Sequence, residues 1–189
     1  MPWGGNRLLF HAAMNIRVKG SFGPRNGFRE NDMPRTFSFR AQNLQDTDRL
    51  GTALAAAFPD GVIALDGPLG AGKTRLVQAI AAACGVNRAE VVSPTFVLMH
   101  EYRGDRPIYH VDCYRLRDDD EFNQLGVDEH FGPPNLVLIE WAGRMERCMP
   151  SDRLDVAISP MGSEVREFNF VAHGEDALTR LAELRRMLA

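Results

Sequence analysis

The run Gly67-Pro68-Leu69-Gly70-Ala71-Gly72-Lys73-Thr74 constrains this chain more than any other stretch. It fits the pattern G-x-x-x-x-G-K-[ST], in which a glycine-rich turn aims backbone N–H groups at the phosphates of a nucleotide. The pattern has a structural requirement: a strand must lead in and a helix must lead out, so that the helix N-terminus faces the anion. Both flanks are present. Val62-Ile63-Ala64-Leu65 has the length and composition of a buried parallel strand. From Arg75 to Cys84, Leu76, Val77, Ile80, Ala83 and Cys84 recur at helical spacing, and Gly85 follows as the predicted C-terminal cap.

Lysine usage strengthens the reading. Of the 22 basic residues only Lys19 and Lys73 are lysines, and one of the two stands in this turn. A lysine reaches β- and γ-phosphates as a compact point charge, which the planar fork of arginine does not duplicate. The nucleotide is therefore expected against Gly67, Leu69, Gly70, Ala71, Gly72, Lys73, Thr74 and Arg75, with the Thr74 hydroxyl offered to Mg²⁺.

With 189 residues the chain suffices for one well-buried domain, read as residues 36–189, preceded by an extension over 1–35. Hydrophobic content of 44% and charged content of 25% match ordinary globular proteins, and no apolar stretch approaches the roughly 20 residues of a membrane-spanning helix. Residues 1–35 carry six basic against two acidic residues, while the whole chain has a net charge of −3. The body is thus acidic, which argues against a broad nucleic-acid-binding surface and places any RNA connection behind a partner protein. The extension lacks hydrophobic periodicity and is rich in Gly, Asn, Pro and Arg, so it reads as disordered. A transit peptide fits its basic character but not its few serines, and Met33 is an alternative start. Cys84, Cys113 and Cys148 show no metal-binding spacing and read as reduced, small buried hydrophobes of a cytoplasmic protein.

Along the rest of the chain, Phe37-Ser38-Phe39 predicts a strand, and Asp46 and Thr47 predict the cap of a helix carrying Leu50, Leu54, Ala55 and Phe58. Val91-Val92 and the stretch Phe96 to Tyr102 are β formers, followed across Arg103-Gly104-Asp105-Arg106 by Ile108 to Tyr114, a hairpin pattern. A short helix over Asp120–Leu125, a buried strand over Leu136–Ile139, strands over Leu154–Ile158 and Glu167–Val171, and a closing helix over Glu175–Leu188 complete the reading. The predicted fold class is α/β: a P-loop NTPase-like mixed sheet flanked by helices, with a β-hairpin after the loop helix.

A phosphate loop needs a carboxylate on a neighbouring strand end, for Mg²⁺ or for the attacking water. Glu140, after four apolar residues, is the candidate, against an ordinary strand-end carboxylate. Asp112 lies in an apolar strand, where burial demands a partner: metal, water, or an ion pair with Arg115. Ser93-Pro94-Thr95 is either a turn or a switch in which Thr95 senses the γ-phosphate or Mg²⁺. Trp141 covers the nucleotide, faces a partner, or packs the core. His110, His130 and His173 read as core or solvated histidines, and Met145, Met149, Met161 and Met187 as packing residues.

These residues together resemble the TsaE family, also called YjeE, the small ATPase subunit of the bacterial machinery that makes threonylcarbamoyladenosine in tRNA. The resemblance rests on Gly67 to Thr74, Ser93 to Phe96 with Glu101-Tyr102, Tyr109 to Leu116, Leu125-Gly126 and Leu138 to Trp141, in the family's order from about Phe37 to the C-terminus. It implies an ATP- and Mg²⁺-dependent enzyme, slow alone and activated by a TsaD-like catalytic subunit and its TsaB-like paralogue. It also implies that Thr74 and Glu140 hold Mg²⁺, that Thr95 and Asp112 belong to switch segments, and that Trp141 lies at the nucleotide. Pro68 stands where the family commonly has Asp, and Arg75 where Thr or Ser is common. The alternatives are a small-molecule kinase, for which Arg144 and Arg147 imitate a lid weakly, and a module that binds ATP without hydrolysing it. A Ras-type guanine reader is disfavoured, because neither lysine stands in an N-K-x-D motif.

Overall fold

The structure is a computed structural model and describes residues 35–189. The expectations for the extension, disorder, a transit peptide and a start at Met33, lie outside the described residues. The elements are β1 (Thr36–Ala41), α1 (Leu44–Ala57), β2 (Gly61–Asp66), α2 (Lys73–Ala83), β3 (Met99–Arg103), β4 (Pro107–Asp112), α3 (Asp119–Gln124), β5 (Leu136–Glu140), β6 (Arg153–Pro160), β7 (Arg166–His173) and α4 (Glu175–Leu188). They build one seven-stranded sheet in the order β1-β7-β6-β2-β5-β4-β3. β2 pairs in parallel with both β5 and β6, and β4 in parallel with β5, while β1, β7 and β3 join antiparallel at the two sides.

The central parallel strands are apolar on both faces, as burial on both sides of the sheet requires. Ile63, Leu65, Leu136 and Leu138 enter a core with residues of α1, α2 and α4, and their neighbours Val62, Ala64, Val137 and Ile139 face a second core holding Phe122 of α3, Val127 and Met145. α1 lies close on α2 at Gly51, where a β-carbon would overlap Ala79. Three parallel strands thereby end together, and Asp66, Asp112 and Glu140 are carried to one edge of the sheet.

The fold class agrees with the sequence reading, including the hairpin of β3 and β4. Some local expectations do not. α1 is capped by Asn43, whose side chain accepts from Asp46 N at 3.0 Å, while Asp46 reaches back to Gln42 N at 2.8 Å; Asp46 thus closes a reciprocal cap and Thr47 is buried in the helix. The segment Val91 to Leu98 is not a strand. β3 begins only at Met99, Phe96 is 81% exposed, and Leu98 takes a left-handed backbone at φ 69° after a turn in which its N–H donates to Pro94 O. Val91 is buried in the core as a single anchor, but Val92, Phe96 and Val97 lie open to solvent, so the β-forming side chains there have no strand surface to pair against. Met161 and Met187 are exposed rather than packed, whereas Met145 is buried.

Candidate functional site

β2 ends at Asp66 and the chain turns through Gly67 to Gly72 before α2 starts at Lys73. Positive φ angles at Gly67 (148°), Gly70 (77°) and Gly72 (109°) explain why glycine recurs in the turn, and at Gly67 a β-carbon would also collide with the carbonyl of Ile158 on β6. Gly72 is the N-cap of α2 and supplies no side chain, so N–H groups of the first helical turn keep their donors for an anion. Ala71 is turned otherwise: its N–H donates to Pro68 O at 3.1 Å, closing the loop, and its methyl is buried in the core. The Ala71 carbonyl accepts from Arg166 Nε at 3.0 Å, and Arg166 Nη1 also donates to the carbonyls of Gly162, Ser163 and Val165. Arg166, which the sequence reading did not single out, thus ties the loop to the β6–β7 turn.

Lys73 is 4% exposed. Its Nζ donates to Gly67 O at 2.8 Å and Pro68 O at 3.2 Å, and lies 3.6 Å from the centroid of the Trp141 ring. Burial pushes its pKa down, and the charges of Glu140, Asp66 and Asp112 partly oppose that shift. Trp141 has a left-handed backbone at φ 59°, fixed by its N–H bond to Leu65 O at 2.8 Å, and its ring meets that of Tyr114 at 5.1 Å. The Trp141 ring lies over the loop lysine and, half-buried, also packs against the second core. Asp66 fastens the same segment by accepting from Gly143 N at 2.9 Å, and burial pushes its carboxyl pKa up.

The two candidate carboxylates, Asp112 on β4 and Glu140 on β5, are direct register partners. Both are buried, at 2% and 3% exposure. Glu140 Oε1 accepts from Thr74 Oγ1 at 2.7 Å and lies 2.9 Å from His110 Nε2. Asp112 Oδ2 accepts from Thr95 Oγ1 at 2.7 Å and Ser93 Oγ at 3.0 Å, and its Oδ1 accepts from Tyr114 N at 2.8 Å. The Asp112–Arg115 ion pair, one of the three partners considered for Asp112, does not form. Three donors already satisfy the carboxylate, and the Arg115 guanidinium instead lies 4.2 Å from the Phe96 ring centroid. Arg144 does not resemble a lid residue: its guanidinium donates to the carbonyls of Cys113 and Leu116.

Leu69, Gly70, Gly72, Lys73, Thr74, Arg75, Thr95, Asp112, Glu140 and Trp141 therefore line one cleft of about 430 Å³, joined by Ser93 and Tyr114. Arg75 reaches its wall with one guanidinium nitrogen paired to Asp48 at 2.6 Å and another, Nη1, buried without a partner among the described residues. Gly67 and Ala71 are not on that wall and shape the turn from behind. The Thr74 hydroxyl, the Glu140 carboxylate and nearby Asp112 form a hard-oxygen donor set of the kind suited to Mg²⁺, which keeps several waters and completes its shell with phosphate oxygens. His110 is fully buried, as a lone histidine in an apolar strand suggests, but its approach to Glu140 was not foreseen. Its spacing of two from Asp112, which puts both on one face of β4, was the available clue.

A mixed sheet whose parallel central strand feeds a glycine-rich turn and a helix, beside strand-end carboxylates, defines the class: an α/β protein of the P-loop NTPase-like fold. The chain belongs to the TsaE family. The family model described as Threonylcarbamoyl adenosine biosynthesis protein TsaE matches residues 41–168. The tRNA threonylcarbamoyladenosine biosynthesis protein TsaE of Bacillus subtilis is 40% identical over 138 residues, covering 72% of this chain and 85% of the relative. That of Treponema pallidum is 33% identical over 128 residues, covering 67% and 94%. Among solved structures, the crystal structure of Bacillus subtilis YdiB is similar at a TM-score of 0.67 and 34% identity, covering 80% of this chain and 95% of that one.

Proposed function

We propose that this protein is a cytoplasmic Mg²⁺-dependent ATPase that acts in tRNA threonylcarbamoyladenosine formation and is activated by TsaD-like and TsaB-like partners. The observation that carries the reading is the convergence of Lys73, Thr74, Asp112 and Glu140 on one cleft beneath an uncapped helix N-terminus. Family membership supports the tRNA-modification role. The acidic body supports contact with tRNA through the partners rather than directly.

In the proposed cycle, the triphosphate enters over Gly70 to Thr74, and Lys73 leaves the carbonyls of Gly67 and Pro68 for the β- and γ-phosphates. Mg²⁺, when bound, neutralises charge on the phosphate oxygens, and Thr74 and Glu140 are the residues to hold it. Water attacks the γ-phosphorus, the bond to the β-phosphate oxygen breaks, and ADP and inorganic phosphate result. Asp112 has every oxygen engaged by Ser93, Thr95 and Tyr114, whereas Glu140 Oε2 accepts no bond from the described residues. That difference favours Glu140 as the carboxylate facing Mg²⁺ and water, with Asp112 holding Thr95 as a switch.

Hydrolysis of ATP by the purified chain, alone and with both partners, tests the reading. Slow turnover that rises with the partners, and is lost in Lys73→Ala and Glu140→Ala, is expected. Partner-stimulated hydrolysis that survives either substitution overturns the site, and γ-phosphate delivered to an added metabolite instead of water favours a kinase.

A further inference from the structure

Whether Glu140 faces Mg²⁺ productively depends on how its side chain is held, because a glutamate at a strand end can rotate about three bonds. His110 is placed to hold it. It lies on β4 opposite Leu138 of β5, one step before the facing pair Asp112 and Glu140, and its side chain leaves the same face as theirs. It is wholly buried, and its Nε2 sits 2.9 Å from Glu140 Oε1. With a carboxylate oxygen facing Nε2, that nitrogen carries a proton and donates. The other nitrogen, Nδ1, is buried and has no partner among the described residues. An orphaned ring nitrogen carries a desolvation cost that an apolar side chain of similar size would avoid, so packing alone does not account for histidine here.

The bond divides the labour of the carboxylate. Oε1 is gripped from two sides, by His110 and by the Thr74 hydroxyl, and Oε2 is left for the cation and its water. The two grips differ in kind. Thr74 belongs to the first turn of α2, where the phosphates arrive, whereas His110 sits within a paired strand away from the cleft wall. We propose that His110 is the positioning residue of Glu140, which sets the oxygen presented to Mg²⁺ without itself touching nucleotide or metal. This rests on the nucleotide reading of the site given above.

The test measures binding of a non-hydrolysable ATP analogue with Mg²⁺ and with EDTA. Wild-type protein is expected to bind more tightly with Mg²⁺, and wild-type protein that gains nothing from the cation overturns both the nucleotide reading and this inference. In His110→Leu the gain from Mg²⁺ should fall about tenfold, the usual scale for losing the hydrogen-bond partner of a metal ligand, while affinity in EDTA stays within about twofold. His110→Gln, whose amide reaches to the place of Nε2, should recover the gain, and the shorter His110→Asn should not. A full Mg²⁺ gain in His110→Leu, or an equal loss with and without the cation, overturns the inference. Should the leucine variant fail to fold, the glutamine and asparagine variants decide, and equal Mg²⁺ gains in those two also overturn it.

Discussion

The two walls of the cleft are built by opposite means from neighbouring strands. Glu140 is held by regular structure: His110 within β4, Thr74 in the first turn of α2, and its own backbone between β2 and β4. Asp112, its register partner, is held by hydroxyls of the irregular segment Ser93 to Thr95. Beside those hydroxyls, Phe96 and Val97 lie open to solvent. Each wall also carries one non-glycine residue in the left-handed region, Trp141 beside Glu140 and Leu98 beside Asp112, and these are the only two among the described residues. Such backbone persists only where surrounding bonds over-determine it, and it gathers at sites that bind or switch. In the proposed function, the difference separates a fixed wall that orients a cation from one whose grip passes through a loop able to exchange partners.

The largest effect that could break this distinction comes from the carboxylates themselves. Glu140→Gln is expected to lower partner-stimulated hydrolysis by about 10²–10³-fold, the scale of losing a group aimed at developing charge. Asp112→Asn keeps an oxygen that can accept from Thr95 and should cost only about tenfold, roughly one hydrogen bond. Equal losses in steady-state assays would mean that the walls do not divide their work.

A smaller effect concerns Asp66, which anchors the fixed wall through Gly143 N. Burial raises its pKa, so the folded chain binds this proton more firmly than the unfolded chain does. Its contribution to stability is therefore present at low pH and declines as pH rises from about 4, the ordinary aspartate value, through the raised one. Asp66→Asn retains an acceptor for Gly143 and removes that slope. Thermal melts from acid to neutral pH should show wild-type protein losing ground to the variant, by no more than about 4 °C for a domain of this size. Parallel curves would show that Asp66 carries no such penalty.

The smallest effect is read from thiols. Cys113 follows Asp112 directly, is fully buried, and donates its N–H to Glu140 O at 3.0 Å, while burial pushes its thiol pKa up to about 12. A thiol reagent at mildly alkaline pH should modify half-buried Cys148 first and Cys113 only when the chain unfolds. Early labelling of Cys113, followed by mass spectrometry, would show that the strands bearing the two carboxylates part in the native state.

Much of the cleft was legible along the chain because its parts are local. The glycines, Lys73 and Thr74 read as a phosphate loop through spacing alone, since strand, turn and helix are contiguous. Glu140 and Asp112 stood out as charges in apolar strands. Arg166 did not, because it meets the loop from β7, 95 positions away from Ala71. Nor did His110, whose bond to Glu140 crosses between strands separated by a helix. In the stretch Val91 to Leu98 the β-forming residues implied a strand, yet Val92, Phe96 and Val97 are exposed and only Val91 reaches the core, because burial depends on what lies underneath.

By itself the sequence determined the α/β class and the strand, glycine turn and helix around Lys73, because periodicity and motif spacing are encoded within a few tens of residues, and its ordered motifs carried the resemblance to the family. Only the tertiary structure decided that Asp112 and Glu140 face each other, that His110 and Thr74 share one oxygen of Glu140, and that Trp141 lies over Lys73. Those relations depend on the parallel register of β2, β5 and β4, which is set by burying apolar side chains on both faces of the sheet and is written in no single segment.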